Sequence, residues 1–164
     1  MQLTLEMTSN FCIVKRMDQE IKNRCIKMFK KARFIEDLGV ELKEIDEGLA
    51  RSELIVEPKH FQQNDFVHAG VLATMADHTA GVAATTCLAI DQSVLTIEFK
   101  VNFMRPALGE KITCESRVLR AGKTLAFAES EVFAHSDAKP DEKKLVSKAL
   151  VTLSVVKDTK LNGS

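Results

Sequence analysis

The chain has no tryptophan, no tyrosine, three prolines and no surplus of charge in either direction. Lys plus Arg and Asp plus Glu number 23 each over 164 residues, a formal net charge of zero. A balanced chain exerts no long-range pull on DNA, RNA or an anionic membrane surface. No basic stripe interleaved with aromatics marks a nucleic-acid face either. The four cysteines, Cys12, Cys25, Cys87 and Cys114, form no CxxC pair, and His60, His68, His78 and His135 are dispersed. No zinc spacing results, so neither a metal nor a redox cofactor is expected. The cysteines read as reduced thiols of a cytoplasmic protein. Residues 1–10, MQLTLEMTSN, lack a basic segment followed by an apolar run and are not expected to be a signal peptide. Low-complexity stretches are absent, which with 45% hydrophobic residues argues against disorder.

What is present fits one domain with a short extension. The longest apolar run, Gly70–Ile90, contains one acid, Asp77, and one histidine. It is long enough for a membrane span. Its Ala and Thr content, its central Asp77 and the lack of flanking Lys/Arg clusters point instead to a helix buried in protein, at about 70–89. Residues 17–33 carry Met17, Ile21, Cys25 and Met28 at helical spacing, with basic residues toward the C-terminal end, and predict an amphipathic helix. Strands are expected near 39–45 and at Leu49–Val56, with Asp46-Glu47-Gly48 as the turn and Pro58 as the stop. A polar loop, Lys59–Val67, precedes the buried helix. Beyond it, Leu95, Ile97, Phe99, Val101 and Phe103 alternate with polar residues, predicting a strand with one buried face. Further strands are expected at Lys111–Arg120, 124–135 and 144–156, with Arg120–Lys123 as a hairpin turn and Ser136–Lys143 as a loop.

Short links between the last four strands imply an antiparallel meander. One sheet has one apolar face to cover, and the buried helix is the element available to cover it. The expected class is therefore α+β: an antiparallel sheet of about six strands wrapped around one long central helix, with an N-terminal helix in front. That is the hotdog arrangement. Residues 1–34 form the expected N-terminal extension, 35–157 the hotdog domain and 158–164 a tail.

The segment His60-Phe-Gln62-Gln-Asn-Asp65-Phe66-Val-His68-Ala69-Gly70, followed by VLATMADHTAG, resembles the signature of the PaaI-like hotdog acyl-CoA thioesterases. There an Asn or Gln precedes His-Gly-Gly and a helix bearing Asp or Glu. Arg117–Phe127 resembles the same family's penultimate hairpin, and the similarity runs from about residue 32 to 156. It implies hydrolysis of a medium- or long-chain acyl-CoA to free acid and coenzyme A, the coenzyme being part of the substrate. It also implies a homodimer, or a tetramer of two dimers, with composite sites at the interface. The alternative is a non-catalytic acyl-CoA-binding or regulatory hotdog protein; an acyl-carrier-protein thioesterase would call for a basic docking face that the charge pattern lacks.

The residues themselves carry part of this chemistry. Ala69 and Gly70 stand at the start of the buried helix, where backbone N–H groups lack partners and carry partial positive charge. An N–H aimed at a thioester carbonyl stabilises the oxyanion formed on attack. Asp77 lies seven residues beyond Gly70, about 10 Å along the helix. That is too far to serve one carbonyl together with its own helix start, so a shared substrate requires two chains.

By the resemblance, Gln62 helps place the carbonyl, the Ala69 N–H polarises it, and Asp77 of the partner chain acts as general base or as nucleophile. Gln63 or Asn64 remain alternatives for the amide, and a solvent-facing acid is the plain reading of Asp77. His68 is expected to orient the loop, and Thr96 aligns with a hydroxyl that holds the attacking water. Phe61, Phe66 and Met75 are acyl-pocket candidates, and Arg105, Arg120 and Lys123 candidates for the coenzyme phosphates; core packing and solvated surface charge are the plainer readings. Two departures stand out: Ala69 replaces the first Gly of His-Gly-Gly, and Asp65 stands where many members have Gly. Small residues at 73, 76, 80, 81 and 84 are expected to let a second helix approach.

Overall fold

The Asp18 carboxylate accepts the Glu20 N–H at 2.7 Å and starts helix α1 (Gln19–Lys31). The helix expected over 17–33 is present as α1, and a second, short helix that the sequence reading did not mark follows it. The chain extends at Ala32 (φ −79°, ψ 93°), and α2 (Arg33–Leu38) ends on Gly39 in the left-handed region at φ 79°. The structure, a computed structural model, describes residues 17–136 and 139–158. Cys12, the first 16 residues of the expected extension and the expected tail from residue 159 lie outside the described residues. Cys25 and Phe29 of α1 and Ile35 of α2 are buried in the same core as the sheet.

Six strands follow: β1 (Val40–Asp46), β2 (Leu49–Ile55), β3 (Gln92–Phe103), β4 (Lys111–Ala121), β5 (Leu125–Ser136) and β6 (Lys139–Lys157). Between β2 and β3 lie a short 3-10 turn at Pro58–His60 and the long helix α3 (Ala69–Thr85). All strand pairs are antiparallel, in the order β1-β2-β4-β5-β6-β3. The hotdog architecture is thus present, but the four-strand meander is not. β4, β5 and β6 are consecutive neighbours, whereas β3 lies at the far edge beside β6. The seven-residue link 104–110 is therefore a crossover past two strands, not a hairpin. With β1 on one edge and β3 on the other, the sheet curls and places α3 against its concave face.

Small residues govern that contact. Ala76, Ala80 and Ala84 are completely buried, facing the sheet and not a second helix as expected; Ala73 and Gly81 alone of the small set remain on the half-open side. The sheet answers with short polar side chains. Ser130 Oγ donates to the Ala76 carbonyl and shares a hydrogen bond with Ser116, both at 2.7 Å, and Ser52 bonds Thr79 at 2.7 Å. These buried hydroxyls are therefore satisfied. Cys114 lies in the same layer, where burial pushes its thiol up to about 11. The helix stops at Thr85, earlier than residue 89. Thr85 and Thr86 turn their hydroxyls back onto the Gly81 and Ala83 carbonyls at 2.8 and 2.6 Å.

Two other expectations change. The even alternation at 95–103 does not give one buried face, because a bulge between Thr96 and Glu98 shifts the phase. Leu95 shares the outer face with Ser154 and Leu125, while Thr96, Phe99 and Val101 sit opposite the buried Leu153, Val151 and Ala149. Phe99 and Phe103 still expose 42% and 47% of their surface, since no strand among the described residues pairs with the outer edge of β3. The expected loop at 136–143 is in part strand: β5 runs to Ser136 and β6 starts at Lys139, with His135 facing Lys143 and Ser136 facing Lys139.

The crossover link is pinned on both sides. Val67 N–H donates to Ala107 O at 3.0 Å, and Glu110 N–H to His135 O at 3.2 Å. Gly109 holds φ at 132°, and a Cβ there would lie 2.0 Å from the His135 carbonyl oxygen. Gly109→Ala combines a forbidden backbone angle with a clash against a strand. Chemical denaturation should show a loss of about 2 kcal/mol or more, and a loss below about 0.5 kcal/mol would contradict this account of the link.

Candidate active site

The loop before α3 is built by its own backbone. Gln62 N–H donates to Phe66 O at 2.8 Å, Asp65 N–H to Gln62 O at 3.1 Å, and Phe61 bridges Val67. Asp65 adopts φ 59°, the left-handed region that glycine enters freely and Asp tolerates better than most residues. The Asp-for-Gly departure therefore keeps the turn.

His60, which the sequence leaves without a role, anchors this loop from inside. It is fully buried; its Nδ1 accepts the Glu57 N–H at 2.8 Å, so Nε2 carries the proton and donates to Leu38 O at 2.7 Å. Its carbonyl in turn accepts the His68 N–H at 2.8 Å.

His68 is the N-cap of α3. Its Nδ1 accepts the Gly70 N–H at 2.9 Å, and its carbonyl accepts the Val71 N–H at 2.9 Å. Gly70 thus has no free N–H to offer a substrate. The Ala69 N–H, at the first helical position, is without a partner among the described residues.

A cavity of about 360 Å³ opens at this point, walled by Gln62, Phe66, His68 and Ala69 and by Phe103–Ala107 of the link, Arg105 included. Five expected site residues therefore meet: Gln62, Phe66, His68, Ala69 and Arg105. The guanidinium of Arg105 also donates to Leu145 O at 2.9 Å. Phe103, read in the sequence only as a strand residue, and Met104, not singled out there, complete the apolar wall at the end of β3 and the start of the link. Gln63 and Asn64 are exposed and outside the wall, as is Phe61. Met75 is fully buried in the core, which is a packing position and not a pocket wall. Arg120 and Lys123 are exposed at the β4–β5 hairpin, apart from the cavity.

Asp77 occupies a different place on α3. It is half-buried, the one Asp, Glu, Lys or Arg in the helix, and its Oδ1 accepts the Thr96 hydroxyl at 2.7 Å. The hydroxyl proton of Thr96 is committed to the carboxylate, which leaves its oxygen lone pairs to accept from a water. Within one chain the helix start and the Asp77–Thr96 pair are separate, as the helical rise requires.

His78, next along the helix, lies edge-on to Phe29 with ring centroids 4.7 Å apart. Burial lowers its pKa, more than the neighbouring Asp77 raises it, and its Nε2 has no hydrogen-bond partner among the described residues. No group of three or more His, Cys, Asp or Glu among the described residues has metal-binding geometry. No helix among them is long and apolar enough to cross a membrane.

Known proteins share this arrangement. The thioesterase superfamily model matches residues 64–140. Human acyl-coenzyme A thioesterase 13 is 31% identical over 113 residues, 68% of this chain and 80% of the human one. The crystal structure of a thioesterase family protein from Silicibacter pomeroyi superposes with a TM-score of 0.80 at 28% identity, covering 84% of this chain and 98% of that one. The E. coli PaaI protein of the phenylacetic acid degradation operon shares the fold, with a TM-score of 0.73 at 17% identity over 85% of this chain and 96% of its own. The chain belongs to the thioesterase superfamily and has the hotdog fold. It is a thioester hydrolase.

The depressed pKa of His78 has a consequence for stability. Below an ordinary histidine pKa of about 6.5 the unfolded chain binds a proton that the folded chain resists, so stability is full above that pH and falls beneath it. Replacing His78 with Phe keeps a ring against Phe29 and removes the titration. Urea unfolding between pH 5 and pH 7 should show a shallower acid loss in the variant; an unchanged slope would rule out His78 as a source of it.

Proposed function

We propose that the protein hydrolyses a medium- or long-chain acyl-CoA to the free acid and coenzyme A, in the cytoplasm, at a site composed of two chains. The observation that carries this reading is the placement of Asp77: the sole carboxylate of an otherwise apolar helix, held by a hydroxyl, and remote from the free N–H at its own helix start. Each chain would supply the helix start of one site and the Asp77–Thr96 pair of another.

The chemistry then runs as follows. The thioester carbonyl oxygen lies against the Ala69 N–H, with Gln62 beside it, and both become more favourable as negative charge grows on that oxygen. A water held by Thr96 gives a proton to Asp77 while its oxygen bonds to the carbonyl carbon. The C–S bond breaks on collapse of the tetrahedral adduct, and the proton passes to the departing thiolate. Alternatively, the Asp77 carboxylate attacks directly, giving a mixed anhydride that water then opens. Phe66, Phe103, Met104 and Leu72 supply an apolar wall suited to an acyl chain or the pantetheine arm. Arg105 at the cavity, and Arg120 and Lys123 on the hairpin, are available for the coenzyme phosphates.

The edge strand β3 supports a homodimer. Its outer backbone edge is unpaired among the described residues, and Leu95, Ile97, Phe99 and Phe103 along it are 62, 60, 42 and 47% exposed. An exposed apolar edge of this length is a liability unless a second strand covers it. Leu125, Phe127 and Leu150 on the outer face, also exposed, leave room for dimers to pair into a tetramer.

Thiol release from acetyl-, medium-chain, long-chain and aryl-CoA, for wild type beside Asp77→Asn, tests the proposal. Medium- or long-chain substrates should be favoured, and kcat should fall by about 10²-fold or more in the variant. Preference for the aryl or acetyl substrate would overturn the substrate class. Full activity in Asp77→Asn would overturn the site.

A further inference from the structure

Arg24 lies on α1, ahead of the segment matched by the superfamily model, and its guanidinium reaches the other end of the catalytic helix. Nη2 donates to Thr85 O at 3.1 Å, in the last turn of α3. The two hydrogens of Nη1 are shared among Ala89 O at 2.9 Å and Ile90 O at 2.5 Å in the connecting turn and Gln92 O at 2.8 Å, the first residue of β3. One planar group thus gathers four carbonyls from the end of a helix, a turn and the start of a strand. The last turn of α3 has no basic residue of its own, so Arg24 also supplies the positive charge that complements the helix C-terminus. No carboxylate among the described residues pairs with it.

The two elements joined here carry the two members of the candidate catalytic pair. Asp77 precedes Thr85 by about two turns of α3, and Thr96 follows Gln92 by four residues on β3. Among the described residues β3 is hydrogen-bonded to the sheet on one side, through β6, so its junction with α3 is a second anchor. Phe29, one turn and a little more beyond Arg24 on α1, packs on His78 next to Asp77. We propose that Arg24 is a positioning residue for hydrolysis: by clamping the α3–β3 junction it sets the depth of β3 against α3 and thereby holds Thr96 on Asp77. It touches no reacting atom. The inference rests on the reading of Asp77 and Thr96 as the catalytic pair.

The test is a cycle of Arg24→Ala, Arg24→Lys, Thr96→Ala and the Arg24→Ala/Thr96→Ala double variant. Each is assayed for kcat and KM on an acyl-CoA that the wild type cleaves, well below its melting temperature. Arg24→Ala should lower kcat by about 10-fold or more with KM within about twofold, because what is lost is alignment in the transition state and not substrate binding. Arg24→Lys should recover part of kcat, since an ammonium keeps the charge but cannot span four carbonyls as the planar fork does. The double variant should lose much less than the product of the two single losses, because both act through one hydrogen bond. A folded Arg24→Ala with wild-type kcat, or losses that multiply in the double variant, would overturn the inference. Should Arg24→Ala fail to fold, Arg24→Lys takes its place in the cycle: a smaller loss of kcat that is less than multiplicative with Thr96→Ala is expected, and wild-type kcat or multiplying losses would overturn the inference. Failure of the site reading itself is read separately: there Asp77→Asn keeps activity, whereas failure of this inference alone leaves Asp77→Asn dead and Arg24 indifferent.

Discussion

Ala76, Ala80 and Ala84 lie fully buried beneath α3, and the sheet meets them with Ser52, Ser116, Ser130 and Cys114 instead of large side chains. Helix and sheet backbones therefore approach closely enough for Ser130 to hydrogen-bond the carbonyl of Ala76. That close seating holds the rest. It curls the sheet around the helix, sends β3 to the far edge and forces the link 104–110 to cross back over the end of the helix. The crossover then becomes one wall of the cavity at the helix start. A bulkier layer would lift α3 and lose the wall and the Asp77–Thr96 contact together.

The two ends of α3 are prepared for different tasks. At its start, His60 holds the loop from within and His68 takes up the Gly70 N–H, so one donor, on Ala69, is left to face the cavity. Capping here selects which N–H is presented, besides stabilising the helix. At its end, Arg24 collects the carbonyls and ties them to β3. Between the ends, Asp77 is the one place where the helix departs from apolar or small character with a charge. Because these features sit at fixed intervals on a rigid rod, one chain cannot bring the first and the third to one carbonyl carbon.

Much of this is legible from the sequence, and what is not has physical causes. The Gly70–Ile90 run announces the central helix, and Asp77 stands out in it because nothing else there is charged. The orienting role of His68 is local, and the motif carries it, whereas the left-handed turn at Asp65 shows only in the backbone angles. The face of β3 is not legible, because the bulge at Thr96–Glu98 inverts a perfect alternation without any Gly or Pro to mark it. The place of β3 at the sheet edge is hidden too, since a seven-residue link is short enough for a hairpin and long enough for a crossover. The start of β6 at Lys139 is hidden by composition, because its polar residues read as a loop. Met75 falls to the core and His60 gains an anchoring role because of long-range packing that no local pattern records. The grip of Arg24 spans more than sixty residues and leaves no periodic trace.

The central claim is that the free N–H and the carboxylate acting on one thioester belong to different chains. Mixed refolding of two inactive variants measures this directly. Asp77→Asn keeps its helix start; Ala69→Pro keeps Asp77 and loses only the N–H, at a first helical position where proline fits and after a residue, His68, already extended at ψ 137°. In a two-fold dimer, each mixed pair has one intact site, so an equimolar mixture should regain roughly a quarter of wild-type activity while each variant alone stays inactive. Restoration near that level is the result the account predicts. No restoration, with mixed dimers demonstrably formed, would contradict it and return the whole site to a single chain.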